Sequence, residues 1–237
     1  MTTRRTTLLI GAALLAGTVV GTGAVTPASA VAPSTLATSL RPTLGLAPST
    51  SWSVADVALG DDPLAALAAE GLHNWQVFAV TGLGEYLARF IAIRDAIAVQ
   101  AASRIEVDPL RLQAAWAAAD HRRQVVLMAA MTQLGTPYRK RTNEPGKGFD
   151  CSGFTSFAWS ATDVLLPSQS RSQIRTVTPL TRDEAQPGDL IYYPGHISLY
   201  LGIDYAILHS PTYGGEVSFS HLRSSREDSV DFGGPIG

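Results

Sequence analysis

Phe149-Asp150-Cys151-Ser152-Gly153-Phe154 contains the one cysteine of a 237-residue chain. A solitary thiol has no disulfide partner within its own chain. It is therefore a nucleophile, an inert buried group or a link to another chain. Asp150 is a preferred N-cap residue, and the residues after it predict a short helix from Asp150 to about Thr162. The sulfur would then lie in the first helical turn, where unpaired N–H groups and the helix dipole favour an anion. Beside an imidazole, such a thiol is expected to ionise more readily than free cysteine.

Two histidines downstream, His196 and His209, are the candidate partners. Gly202-Ile203 between them suits a two-residue type II′ hairpin turn. That turn pairs Leu201 with Asp204 and sets His196 directly opposite His209. Ile197, Leu199, Leu201, Ala206 and Leu208 then share an apolar face, and both histidines lie on the other. A slip of one residue would move His209 into the apolar set. In this arrangement Cys151 is the nucleophile. His196 takes its proton and later delivers it to a leaving amine, and His209 orients His196. The Cys151 N–H would donate to a developing oxyanion. Cys151, His196 and His209 could by residue type also ligate zinc, but their spacing matches no compact zinc pattern. No metal and no cofactor is expected.

Working outward, residues 1–30 have the layout of a secretory signal peptide, with an uncleaved membrane anchor as the rival reading and Arg4-Arg5 leaving a twin-arginine export route open. Arg4-Arg5 precede an uncharged small and apolar run, and Ala28-Ser29-Ala30 is a small-x-small cleavage signal. A lone cysteine in an oxidising compartment sharpens the case for a functional thiol. Residues 31–62 are rich in Pro, Ser, Thr and Ala and read as a flexible linker. Asp62-Pro63 and Asp108-Pro109 each combine an N-cap with a proline at the first helical position. They predict a short helix over 63–70 and another from 109 that runs toward Leu134, with a possible break at Asp120–Arg123. Between them, Tyr86, Phe90, Ile93 and Ile97 mark one face of a helix over 85–104. After Pro137 short strands are expected over 190–193, 196–201, 205–209 and 216–220. Residues 224–237 are polar and glycine-rich and read as a flexible tail. The result is a helical N-terminal segment, 63–119, and a compact α+β part, 120–223, that holds the chemistry. A formal net charge of −2 gives no overall basic field for nucleic acid. No segment beyond the leader is long and apolar enough to span a bilayer.

Several short motifs, in order, resemble the NlpC-type cell-wall endopeptidases over about residues 120–223. They are Gly135-Thr136-Pro137-Tyr138, Phe149-Asp150-Cys151-Ser152-Gly153-Phe154, Leu166-Pro167, Gln186-Pro187-Gly188-Asp189-Leu190-Ile191, Gly195-His196-Ile197, Ile207-Leu208-His209-Ser210-Pro211 and Gly214-Gly215. The resemblance implies a papain-like α+β fold, with N-terminal helices packed on a small antiparallel sheet. It implies a secreted cysteine peptidase of the cell wall or periplasm that cuts peptidoglycan stem peptides, often between D-glutamate and a diamino acid. It aligns Cys151 with the nucleophile, His196 with the base and His209 with the third polar residue. Tyr138 aligns with a tyrosine near the oxyanion. Ser152 falls at the helix entrance, and Ser168 to Ser170 resembles a substrate-side loop. Asp189 is expected to fix its turn.

The chain departs from the family pattern at Arg139-Lys140-Arg141, where an aromatic and paired glycines usually follow the tyrosine. This alters the cleft wall near Tyr138. Two other readings therefore stay open: a catalytically silent wall-binding module of the same fold, and an amidase or acyltransferase with the same three residues. The apolar faces of 63–119 need a partner, either the catalytic part itself, with the option of restraint over its cleft, or a separate docking protein.

Overall fold

The computed structural model describes residues 52–212 and 214–236. The leader and most of the linker lie outside the described residues. Four helices come first: α1 (Pro63–Thr81), α2 (Gly84–Ile105), α3 (Pro109–Ala118) and α4 (His121–Met131). A two-stranded ribbon, β1 (Asn143–Glu144) and β2 (Gly148–Phe149), leads into α5 (Cys151–Ser160) and α6 (Ser170–Thr176). Then come β3 (Thr178–Leu180), β4 (Leu190–Tyr193), β5 (His196–Tyr200), β6 (Ala206–His209), β7 (Ser218–His221), a single helical turn α7 (Ser224–Glu227) and β8 (Asp231–Gly234). The large sheet is antiparallel throughout, in the order β3-β8-β4-β5-β6-β7. This is the expected α+β class. Among the described residues no helix is long and apolar enough to cross a membrane.

The Asp-Pro pairs act as read. Asp62 accepts from the Leu64 N–H and Asp108 from the Leu110 N–H, each with proline at the first helical position. Asp120 caps α4 by accepting from the Arg123 N–H, so the long pattern from 109 breaks there into two helices. Helix α1, however, does not stop at residue 70 but runs on to Thr81, where Gly82 closes it in a left-handed conformation (φ 72°). Gly71 explains the difference. A side chain there would collide with Met128 of α4 and with Ile93 of α2. The glycine lets three helices approach closely, at a cost of about 1 kcal/mol in helix propensity.

One apolar core runs from the N-terminal helices through α5 to the inner face of the sheet. Leu72, Trp75, Phe90 and Trp116 belong to it together with Phe154, Trp159, Ile197, Leu199 and Leu208. Trp116 of α3 donates to the Leu201 carbonyl at 2.9 Å, and His221 Nε2 lies 2.7 Å from the Ile105 carbonyl. The apolar faces of 63–119 are thus covered from within the same chain, and these helices share the core of the α+β part. Residues 52–62, read as the end of a linker, are also docked. Trp52 packs beside Phe157 with ring centroids 6.2 Å apart. The Gly60 and Asp62 N–H groups donate to the Thr132 and Leu134 carbonyls.

The segment after 223 is a correction. It is not a flexible tail, because β8 inserts between β3 and β4 of the main sheet. Phe232 is buried on its outer face with Tyr200, Ile191 and Ile207. Gly233 reads as loop chemistry in sequence, yet a side chain there would collide with Val177 and Ile174. Glycine serves close packing of α6 and its C-terminal end on β8, so the compact part extends past residue 223.

Candidate active site

Cys151 is the first residue of α5, as the N-cap reading requires. Asp150 Oδ1 accepts from the Gly153 N–H at 2.7 Å, and Oδ2 accepts from the Arg141 N–H at 2.9 Å. One carboxylate therefore both starts the helix and anchors the basic loop. Gly153 permits this docking, because a side chain there would collide with the Thr142 carbonyl. Arg141 itself sits in the left-handed region at φ 57°.

Helix α5 packs on β5, which begins with His196. The backbone N–H groups of Ile197, the residue after His196, and of Cys151 and Ser152 at the helix start favour the anionic form of the Cys151 sulfur. His196 is buried, and its Nε2 lies 2.9 Å from Nδ1 of His209. The two rings meet edge to face, with centroids 5.1 Å apart at 87°. Since Nε2 is occupied by His209, Nδ1 is the nitrogen of His196 left to serve a thiol. That requires His196 to carry its proton on Nε2 and to donate it to His209.

The hairpin that delivers this contact is not the expected one. The ladder pairs Leu199 with Leu208 and Tyr200 with Ile207. Gly202 to Tyr205 form a four-residue turn, with positive φ at Gly202, Asp204 and Tyr205. His196 is consequently displaced by two residues from the position opposite His209. Because strand side chains alternate with a period of two, an even shift keeps both histidines on one face. The rings meet along the diagonal of the ladder.

The electrostatics also differ from expectation. Burial pushes the Cys151 thiol above its ordinary pKa, and the nearby Asp150 carboxylate adds to this. The three N–H groups pull the other way without prevailing. Burial lowers His196 to about 4. Burial, and then the neighbouring His196, lower His209 to about 3. Desolvation disfavours every charged form, so burial works against the pre-ionised sulfur expected from the helix start.

Of the other candidates, Tyr138 is half-buried on a segment bridged in parallel to Phe149, and its N–H donates to the Gly215 carbonyl. The Ser152 hydroxyl lies 2.7 Å from the Ser168 carbonyl and 3.1 Å from Asp150. It ties the Cys helix to the following loop. Ser168 is exposed and lines a pocket of about 430 Å³ with Arg141, Asn143, Asp150 and Gln169. Ser170 lines a different pocket, of about 640 Å³, on the side of Gly195. No residue of 63–119 lines either pocket. Asp189 accepts from the Gln186 N–H and pairs with Arg123 while fully buried, and burial outweighs both contacts in raising its pKa.

Two residues near the site carry no signal in the sequence. Gln173 is fully buried. Its Nε2 lies 2.9 Å from the Ser152 carbonyl, 2.8 Å from the Pro167 carbonyl and 2.9 Å from the Ser156 hydroxyl. Its Oε1 accepts from the Thr155 hydroxyl at 2.7 Å. It clamps α5 to the loop and to α6. Tyr193 places its ring 5.2 Å from His196, with the Arg226 guanidinium over it at 5.0 Å. A glutamine between two arginines and a strand-end tyrosine look like ordinary surface chemistry until the fold is known. Among the described residues no group of three or more His, Cys, Asp or Glu side chains is arranged to hold a metal ion.

The NlpC/P60 family model matches residues 135–230. A probable endopeptidase of Mycobacterium tuberculosis is 36% identical over 106 residues, 44% of this chain and 27% of that protein. The gamma-DL-glutamyl hydrolase of Bacillus subtilis is 28% identical over 126 residues, 49% of this chain and 30% of that protein. The chain thus spans about a third or less of these two relatives. The P60 domain of a Mycobacterium avium subspecies paratuberculosis antigen aligns with a TM-score of 0.43 at 25% identity, over 49% of this chain and 96% of that one. The part of this chain that matches the NlpC/P60 family, residues 135–230, thus holds the lone cysteine and both paired histidines.

Proposed function

We propose that this protein is a secreted cysteine peptidase that hydrolyses an amide bond in the peptide stems of bacterial peptidoglycan. The observation that carries this reading is the His196–His209 bond on the strand against which the Cys151 helix packs. The family match and relatives named as endopeptidases support the reaction class. The name of the Bacillus subtilis relative favours a glutamyl bond on the acyl side. Export would follow from the leader-like residues 1–30, and no cofactor is required.

A neutral resting site, which burial favours, shapes the chemistry. As the Cys151 sulfur attacks the carbonyl carbon, its proton passes to Nδ1 of His196. The imidazolium is short-lived and is supported by the His209 acceptor on its other nitrogen. The tetrahedral oxyanion takes a hydrogen bond from the Cys151 N–H, a donor type worth about 3 kcal/mol elsewhere. His196 then gives its proton to the leaving amine, and a thioester remains on Cys151. Water attacks the thioester, His196 accepts the water proton, and the acid product leaves as the thiol is restored. Tyr138 lines the oxyanion side. Ser152 holds the helix to the loop, and Ser168 and Ser170 lie along the substrate's path.

The test is release of stem fragments from purified peptidoglycan, followed by mass spectrometry. Cys151→Ala should release none. Undiminished release by that variant ends the proposal. Release of intact glycan chains without peptide cleavage would point instead to an amidase.

A further inference from the structure

Arg171 and Arg175 are four residues apart on α6 and so project from one face of it. Both are exposed, and among the described residues no carboxylate lies within ion-pair distance of either. They line the pocket of about 640 Å³ with Tyr192, Gly195 and Asp231. Two guanidiniums against one carboxylate leave this pocket cationic in a chain whose net charge is −2. Gly195, the residue before His196, also lines it. A side-chain carbon there would meet nothing within 4 Å, so the pocket is open beside the histidine. The helix that carries both arginines is tied to the nucleophile's helix, because Gln173 lies on α6 between them and bonds to Thr155 and the Ser152 carbonyl of α5.

The position of His196 assigns the direction. It must protonate the departing amine, so the leaving half of the substrate lies on the histidine side of the scissile bond. A pocket that opens at Gly195 is where that half would continue. A guanidinium pair is suited to bind a carboxylate with directed hydrogen bonds. We propose that Arg171 and Arg175 form the subsite for a free carboxylate on the leaving half of the stem peptide. This rests on the peptidase reading above and adds a specificity: the enzyme prefers a leaving half with a free carboxylate over the same half as a carboxamide.

The experiment compares two synthetic stem peptides that differ only in carboxylate or carboxamide on the diamino acid of the leaving half. The readout is the ratio of their kcat/KM values. In the Arg171→Gln/Arg175→Gln variant the wild-type ratio should fall at least fivefold. Arg89→Gln, which removes an exposed cation on α2, should keep it. A smaller fall in the double variant, or an equal fall in Arg89→Gln, overturns the subsite. If the wild-type protein cleaves neither peptide, the peptidase reading fails. The subsite is then decided by calorimetric binding of the two leaving-half dipeptides to Cys151→Ala protein, with the same fivefold criterion applied to affinity.

Discussion

His196 Nε2 and His209 Nδ1 lie 2.9 Å apart although the two residues are not cross-strand partners. The contact is diagonal, and it consumes the one nitrogen of His196 that would otherwise compete for the thiol. In the proposed mechanism His209 is a positioning residue, fixing ring orientation and tautomer through another side chain.

Loss of His209 should consequently lower kcat more than it raises KM. His209→Ala is expected to reduce kcat by about 10²-fold or more, within the range for disabling general acid–base catalysis. His209→Asn should retain more activity than His209→Ala, because its amide oxygen can still accept from His196 Nε2–H. Steady-state kinetics on a stem peptide checks both. Equal activity in the two variants would argue against the tautomer role.

The thiol should behave as an un-ionised group in the resting protein. Since burial raises the Cys151 pKa, the rate of iodoacetamide labelling should climb with pH through and beyond the ordinary thiol range. A profile already flat by pH 6 would instead indicate a preformed thiolate–imidazolium pair. Mass spectrometry of the labelled protein over pH 5–10 decides between them.

Acid should destabilise the fold through the same pair. A histidine with a depressed folded pKa binds its proton less well than in the unfolded chain, so stability rises with pH between the two values. For His196 the window runs from about 6.5 down to about 4. The loss across it is on the order of 3 kcal/mol. Denaturant midpoints at pH 7 and pH 4.5 measure it. His196→Gln should show a shallower slope, having no proton to take up.

Much of this site is written in local chemistry. The Asp-Pro pairs and Asp150 announce helix starts because capping involves neighbours in sequence. The shared face of His196 and His209 follows from parity alone, which is why it survives a turn read two residues too short. What the sequence conceals depends on tertiary approach. Gly71 and Gly233 resemble breakers, yet each marks a place where two elements press together. Burial of His196 and half-burial of the thiol and of His209, which work against the expected charge state, have no local signature. Neither has Gln173, whose partners come from four separate positions in α5 and the loop after it.

Gln173 supplies a direct check on that clamp. Gln173→Leu would remove four side-chain hydrogen bonds, although the Thr155 hydroxyl and the Ser152 carbonyl would keep each other at 3.1 Å. The cost should be roughly 2–4 kcal/mol, since each such bond contributes about 0.5–1.5 kcal/mol net. Activity measured well below the melting temperature should also fall, because the helix that carries Cys151 loses its tie to the loop. Unchanged stability and unchanged kcat would show that α5 is held by its apolar face alone.

The strand at the C-terminal end gives the sharpest test of where the compact part ends. Strand β8 sits between β3 and β4, and Arg123 donates to the Ile236 carbonyl at 3.1 Å. A chain ending at residue 223 would leave β4 with an unpaired edge, strip β3 of its only partner in the sheet and expose Tyr200 and Ile191. It should lose its cooperative thermal transition and all activity, whereas removal of a mobile tail would change neither. The smaller lesion Phe232→Ala keeps the strand and opens a cavity against Tyr200, Ile191 and Ile207. Its expected cost is about 3 kcal/mol, the lower part of the range for a buried phenylalanine. If both variants melted like the intact protein, β8 would contribute nothing to the sheet, and the boundary at 223 read from glycine content would stand after all.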